Sequence, residues 1–407
     1  MKWWRKQKLY VKIFIGVLVG IVLGVTFGPK VAILKPIGDI FIRLLQMLIV
    51  PLAFFSIVSG ITKLEDIKML RSIGGKIMLI YIFTTLLSTI IGVVTALLIR
   101  PGKGEIGLLG KTETIEREEF SFLDNIVQWF PSNVVQAMSE TNMLQIIIFG
   151  IFVGIAMVLL GDKVKRMKEL AHEGANLMIK IAEIVINFAP YGIMALIANV
   201  IGTLGLGVVI EVGRYVLSAF IGFSIILLVV YPIMLKVLGK TSPLFFYKQI
   251  SPAMLVACST TSSSATLPAA MDVSRDGLKI PENIYGFTLP LGATLNMNGL
   301  ASTLGVLSVF AANLYGLPIT FSMILQIAFL GVVLAMGCAG VKGADVVTAS
   351  LLLSTMGLPL TIIPIIAAVS PIVDMGNTVV NVTGDIAGTQ IVHQRNPEYS
   401  NGEFQKV

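Results

Sequence analysis

The sequence predicts an all-α polytopic membrane protein, and three observations lead to this fold class. The 407 residues are 55% hydrophobic and only 13% charged, whereas about 25% of the residues in a soluble domain are charged. The mean hydropathy is +0.88, and apolar runs of about 20 residues, enough for a helix to cross a bilayer, recur along the chain. The net charge of +7 does not indicate nucleic-acid binding, because the basic residues lie in short loops between the runs.

The first part of the chain contains conventional spans whose flanking charges alternate. Basic residues such as Lys2, Arg5 and Lys6 precede the first span, which predicts a cytoplasmic N-terminus. The loop 101–124 is rich in glutamate and is expected outside the cell. No cleavage site follows the first apolar run, so we interpret it as a retained span rather than a signal peptide. The predicted spans are residues 11–27, 37–61, 77–99, 143–160, 174–200 and 216–238.

The rest of the chain is built differently. Two short apolar segments separated by a polar stretch precede a full-length apolar run, and this pattern occurs twice. Paired interrupted segments indicate a transporter site, since non-helical backbone at membrane depth is tolerated only against protein or a water-filled cavity. The first occurrence comprises residues 250–258, 259–264, 265–271 and 284–314, and the second comprises residues 321–336, 337–345, 346–360 and 361–392.

The last apolar run carries a polar stripe. On a helix Asp374, Thr378, Asn381 and Asp385 share one face, and Asn377 borders it. Two carboxylates facing lipid at a helix centre would together cost about 5–7 kcal/mol. They must therefore face protein, water or a bound cation. A buried stripe that joins helices is one interpretation, and a substrate and cation site at mid-membrane depth is the one that we favour.

Enzyme activity is not expected from these residues. The pair Gly384-Asp385 is similar to a motif of intramembrane aspartyl proteases, but that chemistry needs two carboxylates converging from different helices. Asp374 and Asp385 lie on one helix, about 16 Å apart by helical rise. Cys258 and Cys338 form no metal or disulfide pattern, and no histidine lies within the apolar runs for a serine mechanism. We expect no organic cofactor, and a passive channel is the remaining alternative to a carrier.

Several stretches resemble the motifs of the dicarboxylate/amino acid:cation symporter family, which has the glutamate-transporter fold. They are residues 262–268 (SSSATLP), 288–294 (TLPLGAT), 296–299 (NMNG) and 374–385 (DMGNTVVNVTGD). The resemblance covers nearly the whole chain. It implies eight transmembrane helices, two oppositely oriented re-entrant helical hairpins, and a homotrimer in the cytoplasmic membrane with both termini in the cytoplasm.

The resemblance also implies an elevator mechanism, in which a transport domain slides through a trimeric scaffold. The scaffold would comprise residues 1–76 (helices 1 and 2) and 101–205 (helices 4 and 5). The transport domain would comprise residues 77–100 (helix 3) and 206–395 (helix 6, the first hairpin, helix 7, the second hairpin and helix 8). Residues 396–407 would form a cytoplasmic tail.

The substrate site follows from the same resemblance. Asp374 is similar to the group that binds the substrate ammonium, and Asn381 and Ser263 are similar to partners of the α-carboxylate. The other substrate-binding candidates are Ser262, Ser264, Asn298, Leu300, Gly340, Val341, Gly343, Asp345, Asn377 and Thr378.

The resemblance implies Na⁺ as the coupling ion. Hard cations prefer several oxygen ligands, and carboxylate with backbone carbonyls is such a set. From spacing alone, Tyr81, Thr84 and Thr85 would instead indicate helix–helix contacts. The implied sites are Gly292, Asn296, Asn381 and Asp385 for the first, Thr294, Met297, Ala335, Met336 and Cys338 for the second, and Tyr81, Thr84, Thr85, Asn296 and Asn298 for the third.

Two departures from the family pattern concern the substrate. Asn377 stands where members that carry acidic substrates have arginine, and Leu300 stands where the family has a hydroxyl. Without a bidentate cation for a side-chain carboxylate, the sequence predicts uptake of a neutral amino acid by symport with Na⁺. The alternatives are an acidic amino acid or C4-dicarboxylate as substrate, H⁺ as coupling ion, and a purely structural role for Asn377.

The other departures concern coupling and gating. Asn298 replaces an acid, which removes formal charge from the third cation site and predicts weaker coupling. Thr261 replaces the arginine before the serine triplet. Lys342 and Asp345 lie at the tip of the second hairpin, where we expect an extracellular gate with Asp345 near the substrate ammonium. Alternatively, Lys342 reaches inward to replace the missing arginine, or both side chains are solvated.

Overall fold

The described residues fold into α-helices joined by short 3₁₀ and π turns, without a strand. The computed structural model describes residues 9–62, 73–103, 130–140, 142–204, 207–338 and 344–395. In chain order the helices are α1 (Leu9–Phe27), α2 (Lys35–Thr62), α3 (Gly75–Ile99), α4 (Val134–Ser139), α5 (Met143–Leu160), α6 (Lys165–Leu204), α7 (Gly207–Ile225), α8 (Tyr231–Val237), α9 (Pro243–Thr260), α10 (Ser263–Asp272), α11 (Glu282–Leu295), α12 (Asn298–Leu314), α13 (Phe321–Gly337), α14 (Ala344–Thr355) and α15 (Ile363–Gln394).

Helices occupy the positions of the spans that the sequence predicts. The helical class is confirmed, whereas the number of eight membrane spans stays a prediction. Within the described parts of the chain, 6 segments are long and apolar enough to cross a membrane: Val11–Leu44, Gly75–Ile99, Gln145–Ala182, Ile210–Val237, Glu282–Leu314 and Leu360–Gln394.

Two of the six conventional spans form helices that begin nine residues before their apolar runs. Helix α6 begins at Lys165 rather than at residue 174, and α7 begins at Gly207 rather than at residue 216. The apolar pattern marks only the part of a helix that avoids water, and lysine, glutamate and alanine continue the helix beyond it because they are good helix formers. In α7 the extension contains the pair Arg214–Glu211, whose charged atoms lie 2.8 Å apart.

Helices α1, α2, α5 and α6 form one packed group. Helix α6 contacts both α1 and α2, and α2 also contacts α5. Glycines allow the close approach of α1, since a Cβ at Gly16 would lie 2.5 Å from the Pro190 carbonyl oxygen and one at Gly24 would lie 2.8 Å from that of Ala198. Small residues four apart are typical of such interfaces between membrane helices.

Helix α12 is the centre of a second group. Every residue of α12 is buried, and α3, α7, α13 and α15 all contact it. A Cβ at Gly92 of α3 would lie 2.0 Å from the Ser302 carbonyl oxygen, and one at Gly305 would lie 2.4 Å from that of Thr89. This packing brings the hydroxyl-bearing face of α3 against the beginning of α12.

Each interrupted segment forms two helices that contact each other, α9 with α10 and α13 with α14. The first pair is joined at Thr261, whose backbone is left-handed (φ 50°, ψ 38°). Ser262 then caps α10, because its Oγ accepts a hydrogen bond from the Ala265 N–H at 3.2 Å. Helices α9, α10 and α14 all contact α15, so both pairs lie against the helix that carries the polar stripe.

The tip of the second pair, residues 339–343, lies outside the described residues. The substrate-binding candidates Gly340, Val341 and Gly343 fall there, as does Lys342. Re-entry of both pairs into the membrane, the division into scaffold and transport domains, the elevator motion and the homotrimer all stay predictions.

Candidate cation and substrate site

The long helical span before the second pair is interrupted at its middle. Helical backbone stops at Asn296 (φ −105°, ψ 74°) and Met297 (φ −100°, ψ 58°) and resumes with Asn298 as the first residue of α12. The last carbonyls of a helix have no partner within it. The end of α11 therefore supplies backbone oxygens of the type that bind hard cations.

Five of the predicted cation ligands meet beside this interruption, and we name them the Asp385 cluster: Tyr81, Thr84, Gly292, Asn296 and Asp385. The Asn296 Nδ2 donates to Asp385 Oδ1 at 2.8 Å, and Thr84 Oγ1 donates to Asn296 Oδ1 at 3.3 Å. The Tyr81 hydroxyl donates to the backbone carbonyl oxygen of Thr288 at 3.0 Å. A Cβ at Gly292 would lie 2.6 Å from both Asp385 Oδ1 and Tyr81 Oη, so this position accommodates only glycine without a shift.

Asp385 is the only acidic residue of the cluster. It is 3% exposed, and none of its contacts with the described residues is an ion pair. A buried carboxylate without a positive partner is energetically expensive. A bound Na⁺ or a bound proton would remove this cost, so the cluster is chemically suited to either coupling ion.

The third predicted cation set is divided between two hydrogen-bond networks. Asn298 Oδ1 accepts from Thr85 Oγ1 at 3.0 Å, and its Nδ2 donates to Tyr231 Oη at 2.9 Å. The Tyr231 hydroxyl in turn donates to the Val380 carbonyl oxygen at 3.0 Å. The side chain of Asn298 is therefore satisfied by neutral partners, and it brings no charge to a cation.

Asn381 ties α15 to the interruption. Its Oδ1 accepts from the backbone N–H of Gly299 at 2.7 Å, and its Nδ2 donates to Met297 Sδ at 3.3 Å. A Cβ at Gly299 would lie 2.4 Å from the carbonyl oxygen of Asn377, so α12 begins in backbone contact with α15. Both ends of the Asn381 amide have protein partners, and a substrate carboxylate would have to share or replace them.

Asn377, at the position of the family arginine, is only half satisfied. Its Oδ1 accepts from Thr303 Oγ1 at 2.7 Å, and the residue is 2% exposed. Its Nδ2 is buried and has no hydrogen-bond partner within the described parts of the chain. An unpaired buried donor costs about 1–3 kcal/mol, so this N–H group can gain free energy by meeting an acceptor on a ligand.

Asp345 is likewise half satisfied. One carboxylate oxygen accepts from the Ser370 hydroxyl on α15, and the other, Oδ1, is buried without a hydrogen-bond partner among the described residues. Ser370 lies one helical turn before Asp374, so Asp345 reaches the stripe that includes the proposed ammonium partner. Asp345 is thus not solvated at a hairpin tip. Thr378, by contrast, uses its hydroxyl within α15, donating to the Asp374 carbonyl oxygen at 2.8 Å.

The remaining substrate-binding candidates differ in burial. Ser263 is buried near the start of α10, whereas Ser264 is exposed. Ser262 uses its hydroxyl as the cap of α10. Leu300 is buried in α12, which provides an apolar side chain where the family pattern has a hydroxyl.

The second predicted cation set is brought into one neighbourhood by the contact of α11 with α13. The hydroxyl of Thr294 bonds within its own helix, to the Leu291 carbonyl oxygen at 2.9 Å. Cys338 Sγ accepts from Thr348 Oγ1 at 3.3 Å. A hydroxyl that donates its proton keeps its oxygen lone pairs, so Thr294 Oγ1 stays a candidate ligand beside the backbone carbonyls of Met297, Ala335, Met336 and Cys338.

Sequence reasoning missed three residues of the site. Ser370 could have been found, because it lies four residues before Asp374 on the same helical face. Thr303 lies four residues after Gly299 on α12, but a threonine in an apolar helix is ordinary. Tyr231 gives no sequence signal, because its hydroxyl reaches Asn298 through the packing of α8 against α15.

Comparisons with known proteins identify relatives along nearly the whole chain. The sequence profile of the sodium:dicarboxylate symporter family matches residues 9–395. A proton/sodium-glutamate symport protein of Bacillus caldotenax is 31% identical in an alignment of 392 positions that covers 92% of this chain and 90% of the relative. The proton/glutamate-aspartate symporter of Bacillus subtilis strain 168 is 30% identical in an alignment of 357 positions that covers 86% of each chain. Excitatory amino acid transporter 3 of Mus musculus is 29% identical in an alignment of 410 positions that covers 88% of this chain and 78% of the relative.

Proposed function

The chain belongs to the sodium:dicarboxylate symporter family, and we propose that it takes up a neutral amino acid together with Na⁺ across the cytoplasmic membrane. Family membership makes the protein a cation-coupled membrane transporter. The elevator motion and the trimer are part of the proposal, because the resemblance of the sequence to the family implies them.

The observation that carries the neutral substrate is that, in the part of the chain that the structure describes, helices α10 to α15 contain no lysine or arginine. The position of the family arginine holds Asn377, whose amide is oriented by the hydroxyl of Thr303. A substrate side-chain carboxylate buried there would lack a charged partner, which is costly. Asp374 is the residue that the resemblance assigns to the substrate ammonium, and Leu300 adds apolar surface.

The proposal of Na⁺ as coupling ion rests on the Asp385 cluster. A buried carboxylate, two side-chain amide or hydroxyl oxygens and the carbonyls at the end of α11 are the ligand types that a hard cation selects. The name of the Bacillus caldotenax relative includes both proton and sodium, and that of the Bacillus subtilis relative includes only proton. A proton on Asp385 is therefore the alternative. Because Asn298 is neutral and satisfied, we expect fewer or weaker Na⁺ sites than in acid-containing relatives.

An acidic amino acid is the second candidate substrate. It is favoured by the names of the relatives, which transport glutamate or aspartate according to those names. The one basic side chain that the sequence could bring to the stripe is Lys342, between α13 and α14. If Lys342 reached inward it would supply the missing cation, although its flexible stem more readily extends toward water.

Uptake into proteoliposomes tests the proposal. Purified protein is reconstituted, an inward Na⁺ gradient is imposed, and accumulation of labelled serine, alanine, leucine or glutamine is measured. We expect Na⁺-dependent accumulation against the solute gradient, which a passive channel cannot produce. Unlabelled neutral amino acids should compete, whereas aspartate, glutamate and succinate should not. Stronger competition by the acids would establish the second candidate instead.

A further inference from the structure

A cavity of about 640 Å³ lies at the membrane face where α3 begins and α15 ends, away from the polar stripe. Three cationic residues line it, Lys76 in the first turn of α3, Lys240 after α8, and Arg395 after α15. Among the residues that the structure describes, its lining includes no aspartate or glutamate. The cavity therefore combines positive charge from three separate segments of the chain.

The positions of two of these cations are fixed by the fold. Arg395 Nε donates to the Leu238 carbonyl oxygen at 3.0 Å, which holds its guanidinium against the end of α8. Lys240 lies in a left-handed turn (φ 45°) and is exposed. These contacts bring the two charges, separated by more than 150 positions in the sequence, to one cavity.

The rest of the lining is aliphatic. Leu79, Ile80 and Leu238 line the same cavity as the cations; Leu79 is 70% exposed, and Ile80 and Leu238 are half-buried. A free phosphate ion would gain nothing from this apolar surface, whereas a lipid would place its headgroup at the cations and its acyl chain along the aliphatic side chains. The positive-inside pattern of the sequence assigns this face to the cytoplasm. Anionic lipids of the cytoplasmic leaflet attract basic side chains there.

We propose that this cavity binds the phosphate group of an anionic phospholipid. The headgroup phosphate contacts Lys76, Lys240 and Arg395, and an acyl chain lies along Leu79 and Ile80. The site joins the first turn of α3 to the last turn of α15, which are two of the helices that form the Asp385 cluster. The proposal does not depend on which amino acid is transported.

Native mass spectrometry with added lipid tests this site. Binding of phosphatidylglycerol to the full-length protein is compared with binding of phosphatidylcholine, in the wild type and in the double variant Lys240→Asn/Arg395→Gln. Asparagine is chosen because it tolerates the left-handed backbone at residue 240. We expect a wild-type preference for phosphatidylglycerol and about 30-fold weaker binding of that lipid to the variant.

The matched control is Lys163→Gln/Arg166→Gln, which removes two exposed cations from the face predicted to be cytoplasmic without touching the cavity. It should keep the wild-type preference. The single variant Lys240→Asn leaves the contact of Arg395 with Leu238 intact and should bind phosphatidylglycerol about five- to tenfold more weakly than the wild type. It replaces the double variant in the comparison if the double variant unfolds.

Equal binding of both lipids to the wild type, or equal losses in the two double variants, would overturn the proposal. Displacement of the lipid by glycerol phosphate or inorganic phosphate at comparable concentration would assign the site to soluble phosphate and also overturn it.

Discussion

The two halves of α15 differ in how their polar side chains are satisfied. Around Asp385, amide and hydroxyl groups from α3 and α11 surround one buried carboxylate, and among the described residues no positive charge pairs with it. Asn377 and Asp345 each use part of the side chain in a hydrogen bond and each have one buried atom without a hydrogen-bond partner in the described parts of the chain. The first arrangement suits a small cation, and the second suits a ligand that brings its own hydrogen-bonding groups.

Removing the Asp385 carboxylate should have the largest effect, because it takes the only negative charge from the proposed cation site. Asp385→Asn keeps the shape of the side chain and an oxygen that can accept from Asn296. Changes in groups around a metal ligand cost about 10–100-fold in affinity, so loss of the ligand itself should weaken Na⁺ binding by more than about 100-fold. Substrate binding measured against Na⁺ concentration checks this. An unchanged Na⁺ dependence in a folded variant would remove Asp385 from the cation site.

Placing the family arginine at position 377 should change the substrate preference of the half of α15 around that residue. Asn377→Arg replaces a buried neutral amide by a cation to which a neutral substrate offers no carboxylate, so neutral amino acids should bind at least about tenfold more weakly. Aspartate or glutamate would supply the missing carboxylate and should begin to compete. Competition assays on wild type and variant measure both changes. A variant with the wild-type substrate profile would mean that Asn377 does not face the substrate.

Adding a methyl group at Gly292 tests how closely the residues around Asp385 are packed. Gly292→Ala places a Cβ 2.6 Å from Asp385 Oδ1 and from Tyr81 Oη, and should cost about 1–3 kcal/mol and weaken Na⁺ binding. Gly286→Ala on the same helix is the matched control, since the nearest atom to its Cβ would be 3.9 Å away, and it should be neutral or slightly stabilising. Melting temperatures with and without Na⁺ distinguish the two. Equal behaviour of both variants would contradict the geometry around Asp385.

The smallest effect is expected at Asp345. Asp345→Asn should weaken all substrates alike by about five- to tenfold, because it removes a negative charge near the ammonium position without changing the side-chain pocket. Ser350→Ala on the same helix is the control, since the hydroxyl of Ser350 donates within its own helix, to the Val346 carbonyl oxygen.

Lys342→Ala should leave the substrate profile unchanged. Selective loss of an acidic substrate in that variant would instead identify Lys342 as the replacement for the arginine.

Much of the first half could be predicted from the sequence. Thr84, Asn296 and Asp385 lie in motifs whose resemblance assigned them to cation binding, and the structure joins them by hydrogen bonds. The sequence could not indicate that the Thr378 hydroxyl donates a hydrogen bond within its own helix, or that the Tyr231 hydroxyl accepts one from the Asn298 amide. Spacing shows which face of a helix a residue occupies, but the partner of a hydroxyl depends on how helices distant in sequence pack.

The helix boundaries show the same limit. The apolar run predicts α5 at its observed bounds of Met143–Leu160, because there the helix and the run end together. It places the beginning of α6 too late, because Lys165 and its polar neighbours continue the helix outside the apolar region. Hydropathy therefore locates the apolar section of a helix, and the helix propensity of the flanking residues decides where the helix ends.

The central claim is that the site takes a neutral amino acid together with Na⁺, and ligand-induced stabilisation tests it most directly. The melting temperature of the purified protein is measured with serine, alanine, leucine, glutamine, aspartate, glutamate and succinate, each with and without Na⁺. Because a ligand that binds only the folded state raises apparent stability, we predict an increase with one or more neutral amino acids and Na⁺ together, and none with the acids. A larger increase with aspartate, glutamate or succinate, or an increase that depends on neither Na⁺ nor pH, would contradict the claim.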